Sequence, residues 1–454
     1  MNPSDTDDIV GEYAGASIGD AARALEAARS AFPAWSGSTA QVRADVLMRA
    51  GVELMARREE IGELLAREEG KTRPEGIGEV ARAAQVVQFF AGEALRLAGE
   101  KLPAVRAGVD IDVTREPVGV VGIITPWNFP IAIAAWKIAP ALAFGNTVVF
   151  KPAELTPATA WTLVDVLHRS GVPAGVLNLL LGEGPVLGPA MLAGVDALSF
   201  TGSVATGREI ATRAVARMVK LQLEMGGKNP LVVLDDADLD TAVDCAVKGA
   251  FFQTGQRCTA SSRLIVTAKM HDRFVGAVQA QMAKLKIGHA LEAGTDIGPV
   301  VDRRQLDRDL RYLDIGRREG ARVSGGEVLE RATPGFYLAP ALLTETDNRM
   351  KVNRDEIFGP VATVIRVRDY EEALAVANDT DFGLSAGICT TSLKHARHFQ
   401  AHAQAGLVMI NLPTAGLDYH VPFGGRKASS HGPREQGRYA AEFYTAVKTA
   451  YISS

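Results

Sequence analysis

Through the first hundred residues, apolar side chains recur every three to four positions with charged ones between them. This spacing predicts amphipathic helices over residues 19–35, 41–69 and 79–98, laid as a layer over a sheet. Their many Arg and Glu residues read as solvated faces with i,i+4 pairing, and no chemistry is assigned to them. From 101 to 116 the pattern shortens to alternation (Gly108-Val109-Asp110-Ile111-Asp112-Val113-Thr114), which predicts an exposed hairpin in need of a partner strand. A strand–helix rhythm follows. Strands are predicted at 118–124, 147–151, 176–181, 198–200 and 218–223, with helices between them. After Lys228 the rhythm restarts: strand 231–234, helix 239–252, a polar loop, strand 263–267 and helix 272–285. Alternation of this kind predicts an α/β fold with a doubly wound parallel sheet and a second α/β unit, ligands sitting at the carboxyl ends of the strands.

Composition narrows the function. A chain of 454 residues, 47% hydrophobic, can bury the cores of two or three domains. A formal charge of −4 gives no electrostatic case for binding nucleic acid or an anionic membrane. Cys245, Cys258 and Cys389 are too few and too scattered for a disulfide framework or a zinc site, so no metal is expected and a reducing cytoplasm fits. The start, Met-Asn-Pro-Ser-Asp-Thr-Asp-Asp, lacks the basic and apolar regions of a secretory leader. The most apolar stretch, 129–144, is shorter than a membrane span and carries Lys137. A soluble cytoplasmic protein is expected. No internal repeat or low-complexity segment is visible.

The candidate chemistry lies between Glu224 and Cys258. Glu224 ends an apolar strand-like run and is released into two glycines; Cys258 stands in the polar loop Gly255-Gln256-Arg257-Cys258-Thr259-Ala260. A thiol that attacks substrate needs an accessible loop, and a carboxylate that activates water needs partial burial. Upstream, Thr125-Pro126-Trp127-Asn128-Phe129-Pro130 holds an asparagine between two prolines, which fit an oriented amide or simply a turn. Lys151-Pro152-Ala153-Glu154 closes a strand and reads as a ribose site or a surface ion pair. No Gly-x-Gly-x-x-Gly occurs. Gly202-Ser203-Val204-Ala205-Thr206-Gly207 feeds a helix instead, as a phosphate-binding N-terminus or an ordinary cap.

Taken together, these motifs resemble the aldehyde dehydrogenase superfamily, with their order and separation kept along almost the whole chain. Chains of that family usually begin with about two dozen further residues, and this one enters at the Asn-Pro that follows them. The resemblance implies a dinucleotide-binding domain from 1–99 and 118–228, a catalytic domain from 229–440, and a β oligomerisation arm from 100–117 and 441–454. It implies Cys258 as nucleophile, Glu224 as the base for water, and Asn128 with the Cys258 N–H as oxyanion donors. Ile124, Thr125, Trp127, Lys151, Glu154, Gly202, Ser203, Gly207, Gln305, Glu356 and Phe358 would bind NAD or NADP. Glu154 favours NAD, because it would repel a 2′-phosphate. Phe129, Trp136, Arg257, Thr259, Thr414, Tyr419, His420 and Phe423 would line the aldehyde tunnel. The implied assembly is a homodimer or homotetramer, with no nucleic acid or membrane partner.

Within the superfamily, 255–258, 411–420 and 434–439 are similar to bacterial 2-oxoglutarate semialdehyde (2,5-dioxopentanoate) dehydrogenases. That similarity implies a short acid semialdehyde, with succinate or glutarate semialdehyde or a broad aldehyde range as alternatives. Arg257 would either fork onto the substrate carboxylate or brace its own loop. The arginine that succinate-semialdehyde relatives place at position 136 is Trp136 here. Glu224 speaks against transfer of the acyl group to coenzyme A. No histidine lies in a motif that would make Cys258 a hydrolase nucleophile.

Overall fold

A computed structural model describes residues 1–453. The helix Ile18–Ser36 starts where Ser17 and Asp20 close a capping box. The stretch expected as one helix from 41 to 69 is two, Ala40–Ala56 and Arg58–Glu69, broken at Arg57, whose guanidinium bridges Glu53 (3.2 Å) and Glu60 (2.6 Å). Both halves bury the same kind of face, so periodicity runs unbroken across the joint. The next helix is Arg73–Ala94 and begins earlier than the apolar spacing implies, because Thr72 and Glu75 form a second capping box and Pro74 sits in the first turn.

The last three helices cover one face, and Ile18–Ser36 the other through Ala21 and Ala28, of a six-stranded sheet in the order Ser430–His431, Lys220–Glu224, Ala197–Thr201, Val120–Ile124, Thr147–Lys151, Leu177–Leu179. All neighbours are parallel except the short Ser430–His431 edge. Successive strands run outward in both directions from Val120–Ile124. The crevice between the ends of that strand and of Ala197–Thr201 is therefore the switch point where doubly wound sheets hold ligands. A seven-stranded sheet follows, in the order Arg322–Gly325, Ala341–Thr346, Val361–Val367, Ser261–Thr267, Asn229–Val233, Ser385–Cys389, Leu407–Ile410. It is parallel apart from its first pair, with apolar clusters on both faces.

The polar hairpin finds its partner. Val109–Pro117 pairs antiparallel with Glu100–Pro103 on one side and Thr445–Ser453 on the other. The start of the chain is tied to both units: Asp8 pairs with Arg67, and Tyr337 and Thr333 both donate to the Ser4 carbonyl at 2.6 Å. Two cysteines that are far apart in sequence meet: Cys245 and Cys389 share one core cluster. Among the described residues no helix is long and apolar enough to cross a membrane.

Candidate active site

Cys258 sits on a loop whose shape is forced from outside. The helix Leu239–Phe251 is followed by Gln253 and Thr254, both left-handed (φ 53° and 57°), then by Gly255 at φ 65°. A non-glycine residue there costs on the order of 1–2 kcal/mol, so neighbours must hold it. They do. The Gln253 N–H donates to Glu75 Oε1 (2.9 Å), and Gln256 Oε1 accepts from the Val301 N–H (2.9 Å). Asn229 donates to the Cys258 and Ala260 carbonyls (2.8 and 2.9 Å). Gly255 is needed because a Cβ there would lie 2.1 Å from the Gly359 carbonyl oxygen.

Asn128 follows the central strand, is buried, and donates through Nδ2 to the Gln256 carbonyl at 2.9 Å. The Asn128 carbonyl accepts from Lys71 Nζ (2.7 Å), which also pairs with Glu79 (2.6 Å) and lies 4.3 Å from the Phe129 ring centre. Glu79 in turn accepts the Ile131 and Ala132 N–H groups at the start of the helix Ala132–Ala143. Glu68, Glu69, Lys71 and Glu79 are all buried, so this part of the helical layer is not the solvated face that its charges imply.

Glu224 ends its strand, is 2% exposed, and accepts from Ser430 Oγ at 2.5 Å. Burial pushes its carboxyl well above the usual range and Glu435 adds to this, while Ser430, Lys137 and Arg434 oppose it. Glu435 is held by Lys137 and by Trp136 Nε1 (2.7 Å). The sequence carried a sign of this cluster, since a lone lysine inside an apolar run must find a partner. The Cys258 thiol is pushed up to about 12 by burial and by the carboxyls of Glu356 and Glu224; its own N–H and that of Thr259 pull the other way.

A cavity of about 380 Å³ leads to Cys258, with Phe129, Ile133, Trp136 and Phe423 in its wall; the Trp136 and Phe423 rings are 5.5 Å apart. Arg257 and Thr259 also line it. Three expected lining residues do not. Thr414 is fully buried and donates to the Thr259 carbonyl at 2.6 Å, so it braces the cysteine loop from behind. Tyr419 turns onto Phe89 (6.0 Å between rings) and His420 faces solvent, because the loop 415–417 crosses the mouth in their place. Glu75, Glu79 and Arg82 line the cavity and were not foreseen.

On the other side lies a groove of about 1060 Å³ with Trp127, Glu154, Gln305 and Arg308 in its wall. Glu154 Oε1 accepts from Lys151 Nζ (2.8 Å) and the Gly184 N–H (2.6 Å). Burial raises its carboxyl, yet these bonds and the Lys151 charge leave it below the ordinary value. Ser203 caps the helix Val204–Val215 at the switch point, and a Cβ on Gly207 would lie 2.4 Å from Met225. Ile124 ends the central strand, and just beyond it the Thr125 hydroxyl is buried without a partner, as is that of Thr201 on the neighbouring strand. Gly202 follows that second strand. Glu356 accepts from the Gly227 N–H (2.9 Å), and Phe358, left-handed at φ 70°, meets Trp127 edge to face at 5.5 Å. Gln305, expected at a ribose, lines the groove. Its amide donates to Asp309 (2.7 Å) and the Ile357 carbonyl (3.2 Å), because the buried Asp309 carboxyl needs a donor. The helix start at Ser203, the Thr125 and Thr201 hydroxyls and the Glu154 carboxylate just past a strand end are donors and acceptors that fit a dinucleotide.

Residues 1–450 match the model of the Aldehyde dehydrogenase family. The chain belongs to that family. It is 43% identical to the alpha-ketoglutaric semialdehyde dehydrogenase of Bacillus subtilis (strain 168), over 99% of this chain and 93% of that protein. Among solved structures, this aldehyde dehydrogenase resembles a betaine aldehyde dehydrogenase from Staphylococcus aureus in complex with NAD+ (TM-score 0.97, 34% identity, covering 100% of this chain and 91% of that one). An E. coli NADP-dependent enzyme is equally similar (TM-score 0.97, 36% identity, covering 100% and 94%).

Proposed function

We propose that this aldehyde dehydrogenase oxidises a short aldehyde bearing a terminal carboxylate to the corresponding acid, using NAD or NADP, with NAD favoured. 2-Oxoglutarate semialdehyde is the first candidate, and succinate and glutarate semialdehyde follow. The observation that carries this reading is the cavity wall: Phe129, Ile133, Trp136, Leu417 and Phe423 make it apolar, yet it bears two guanidinium groups, Arg82 and Arg257, beside Glu75 and Glu79, which are already bonded within the protein. The Bacillus relative's name agrees with it.

Cys258, once deprotonated, adds to the aldehyde carbon. Asn128 gives one amide N–H to the Gln256 carbonyl, which leaves the other, with the Cys258 N–H, for the developing oxyanion. When bound in the groove, the oxidised nicotinamide supplies the hydride acceptor. Glu356 and Phe358 would hold its ribose and ring, and Thr125, Trp127, Lys151, Glu154, Gly202 and Ser203 the rest. Glu224 then takes a proton from water attacking the Cys258 thioester, a task that its raised carboxyl pKa suits. The acid leaves and the thiolate is restored. The exposed apolar residues of the arm, Leu102, Val105, Val447, Tyr451 and Ile452, support a homodimer or homotetramer, and a catalytic thiol fits a reducing cytoplasm.

The test compares kcat/KM for glutarate semialdehyde and pentanal, five-carbon aldehydes that differ in a terminal carboxylate, with NAD and with or without coenzyme A. Preference for the semialdehyde with no need of coenzyme A is expected. Equal or better use of pentanal would end the acid-semialdehyde reading.

A further inference from the structure

We infer that Arg82, rather than Arg257, grips the carboxylate of the substrate; the assignment rests on the acid-semialdehyde reading above. Both residues line the tunnel, and both have a buried Nε without a partner. They differ at the tip. A guanidinium meets a carboxylate along one of two edges, Nε with Nη2 or Nη1 with Nη2, so both edges need a free Nη2 hydrogen. Arg257 Nη2 donates to two carbonyls, those of Lys248 and Gly249 (the latter at 3.0 Å), on the last turn of the helix that leads into the cysteine loop. Both of its Nη2 hydrogens are taken, and neither two-pronged edge remains. A cation at that position also suits the negative end of the helix. Arg257 is a brace.

Arg82 donates one Nη2 hydrogen to Gln436 Oε1 at a long 3.2 Å, and Nη1 makes no hydrogen bond. The Nη1–Nη2 edge is therefore open. Among the described residues no carboxylate forms a salt bridge with Arg82, although two acidic residues share its tunnel face. Glu79 is bound to Lys71 and to two backbone N–H groups, while Glu75 is bound to Thr72 and to the Gln253 N–H. Asp418, on the exposed loop at the mouth, and Tyr419 are the groups whose charge acts on Arg82, and burial lowers its pKa. A half-buried guanidinium with no paired anion is costly unless an anion arrives. Its aim is also fixed. Gln436 is fully buried and left-handed at φ 58°, a strained backbone directly after Glu435, which holds Trp136 of the tunnel wall.

The experiment measures kcat and KM for glutarate semialdehyde and pentanal in the wild-type enzyme with NAD and in Arg82→Met, Arg82→Lys and Arg257→Met. In Arg82→Met the ratio of the two kcat/KM values should fall roughly ten- to a hundredfold, through KM for the semialdehyde. Arg82→Lys should restore part of it, and Arg257→Met should lower both substrates together and keep the ratio. If Arg82→Met keeps the wild-type ratio, or loses both substrates in proportion, Arg82 is not the anchor. A wild-type enzyme indifferent between the two aldehydes would instead bring down the acid-semialdehyde reading, and this assignment with it.

Discussion

The tunnel encloses about 380 Å³ behind aromatic walls, whereas the groove opens about 1060 Å³ between Glu154, Asp302, Arg304, Asp307 and Arg308. In the tunnel most polar groups are already bonded within the protein: Trp136 to Glu435, Glu79 to Lys71, Glu75 to Thr72. At the strand ends around the switch point, the Thr125 and Thr201 hydroxyls have no partner among the described residues, and a helix starts at Ser203. On the proposed assignment the tunnel would select by shape plus the Arg82 charge, and the groove by many weak contacts. Loss of a tunnel residue should therefore act on one class of aldehyde, and loss of a groove residue on cofactor choice for every aldehyde.

Three substitutions test this division. Cys258→Ala removes the group that both sides serve. Oxidation of every aldehyde should stop while cofactor binding, followed by fluorescence quenching, persists; turnover in this variant would refute the mechanism. Glu224→Gln should be next in size. A rapid burst of reduced cofactor should remain, while steady turnover falls about a hundredfold or more. The sign with pH follows from the raised carboxyl. Its base form exists only above its pKa, so wild-type turnover limited by thioester hydrolysis should rise with pH, and the Gln variant should lose that rise. Equal loss of burst and steady rate would put Glu224 at an earlier step. Glu154→Ser is the smallest. Removing a charge that opposes a 2′-phosphate should move the NAD/NADP ratio of kcat/KM toward NADP by about 1–3 kcal/mol, roughly ten- to a hundredfold, for semialdehyde and pentanal alike. A shift seen with one aldehyde only would break the comparison.

The same contrast explains what could be read from the sequence. The cofactor side is read from short runs at the ends of elements: 151–154 and 200–203 follow strand ends, and 356–360 joins a helix end to a strand start. Such runs keep their spacing in the sequence, and the parallel-sheet fold that brings them together follows from the strand–helix alternation. The tunnel has no such run. Its wall takes Arg82 from one helix, Trp136 from another and Phe423 from a distant loop. Charges on the helix Arg73–Ala94 look solvated by periodicity, because periodicity reports which residues share a face but not what lies opposite. Thr414, Tyr419 and His420 stand close together in sequence, yet one points inward, one sideways and one out. Neither the joint at Arg57 nor the meeting of Cys245 and Cys389 leaves any trace in local pattern.

Glu75 belongs to both parts of the site at once. It closes the capping box of the helix that forms the tunnel wall, and its other oxygen holds the Gln253 N–H at the strained entrance to the cysteine loop. A protein engineer could retune the aldehyde pocket by exchanging the tunnel-facing steps of that helix, Gly78 and Arg82, and leave the chemistry untouched. The first turn is different. It works as a rivet between a replaceable panel and the moving part behind it, so a helix transplanted from another enzyme would keep its catalytic loop in shape only if it brought a carboxylate to that position.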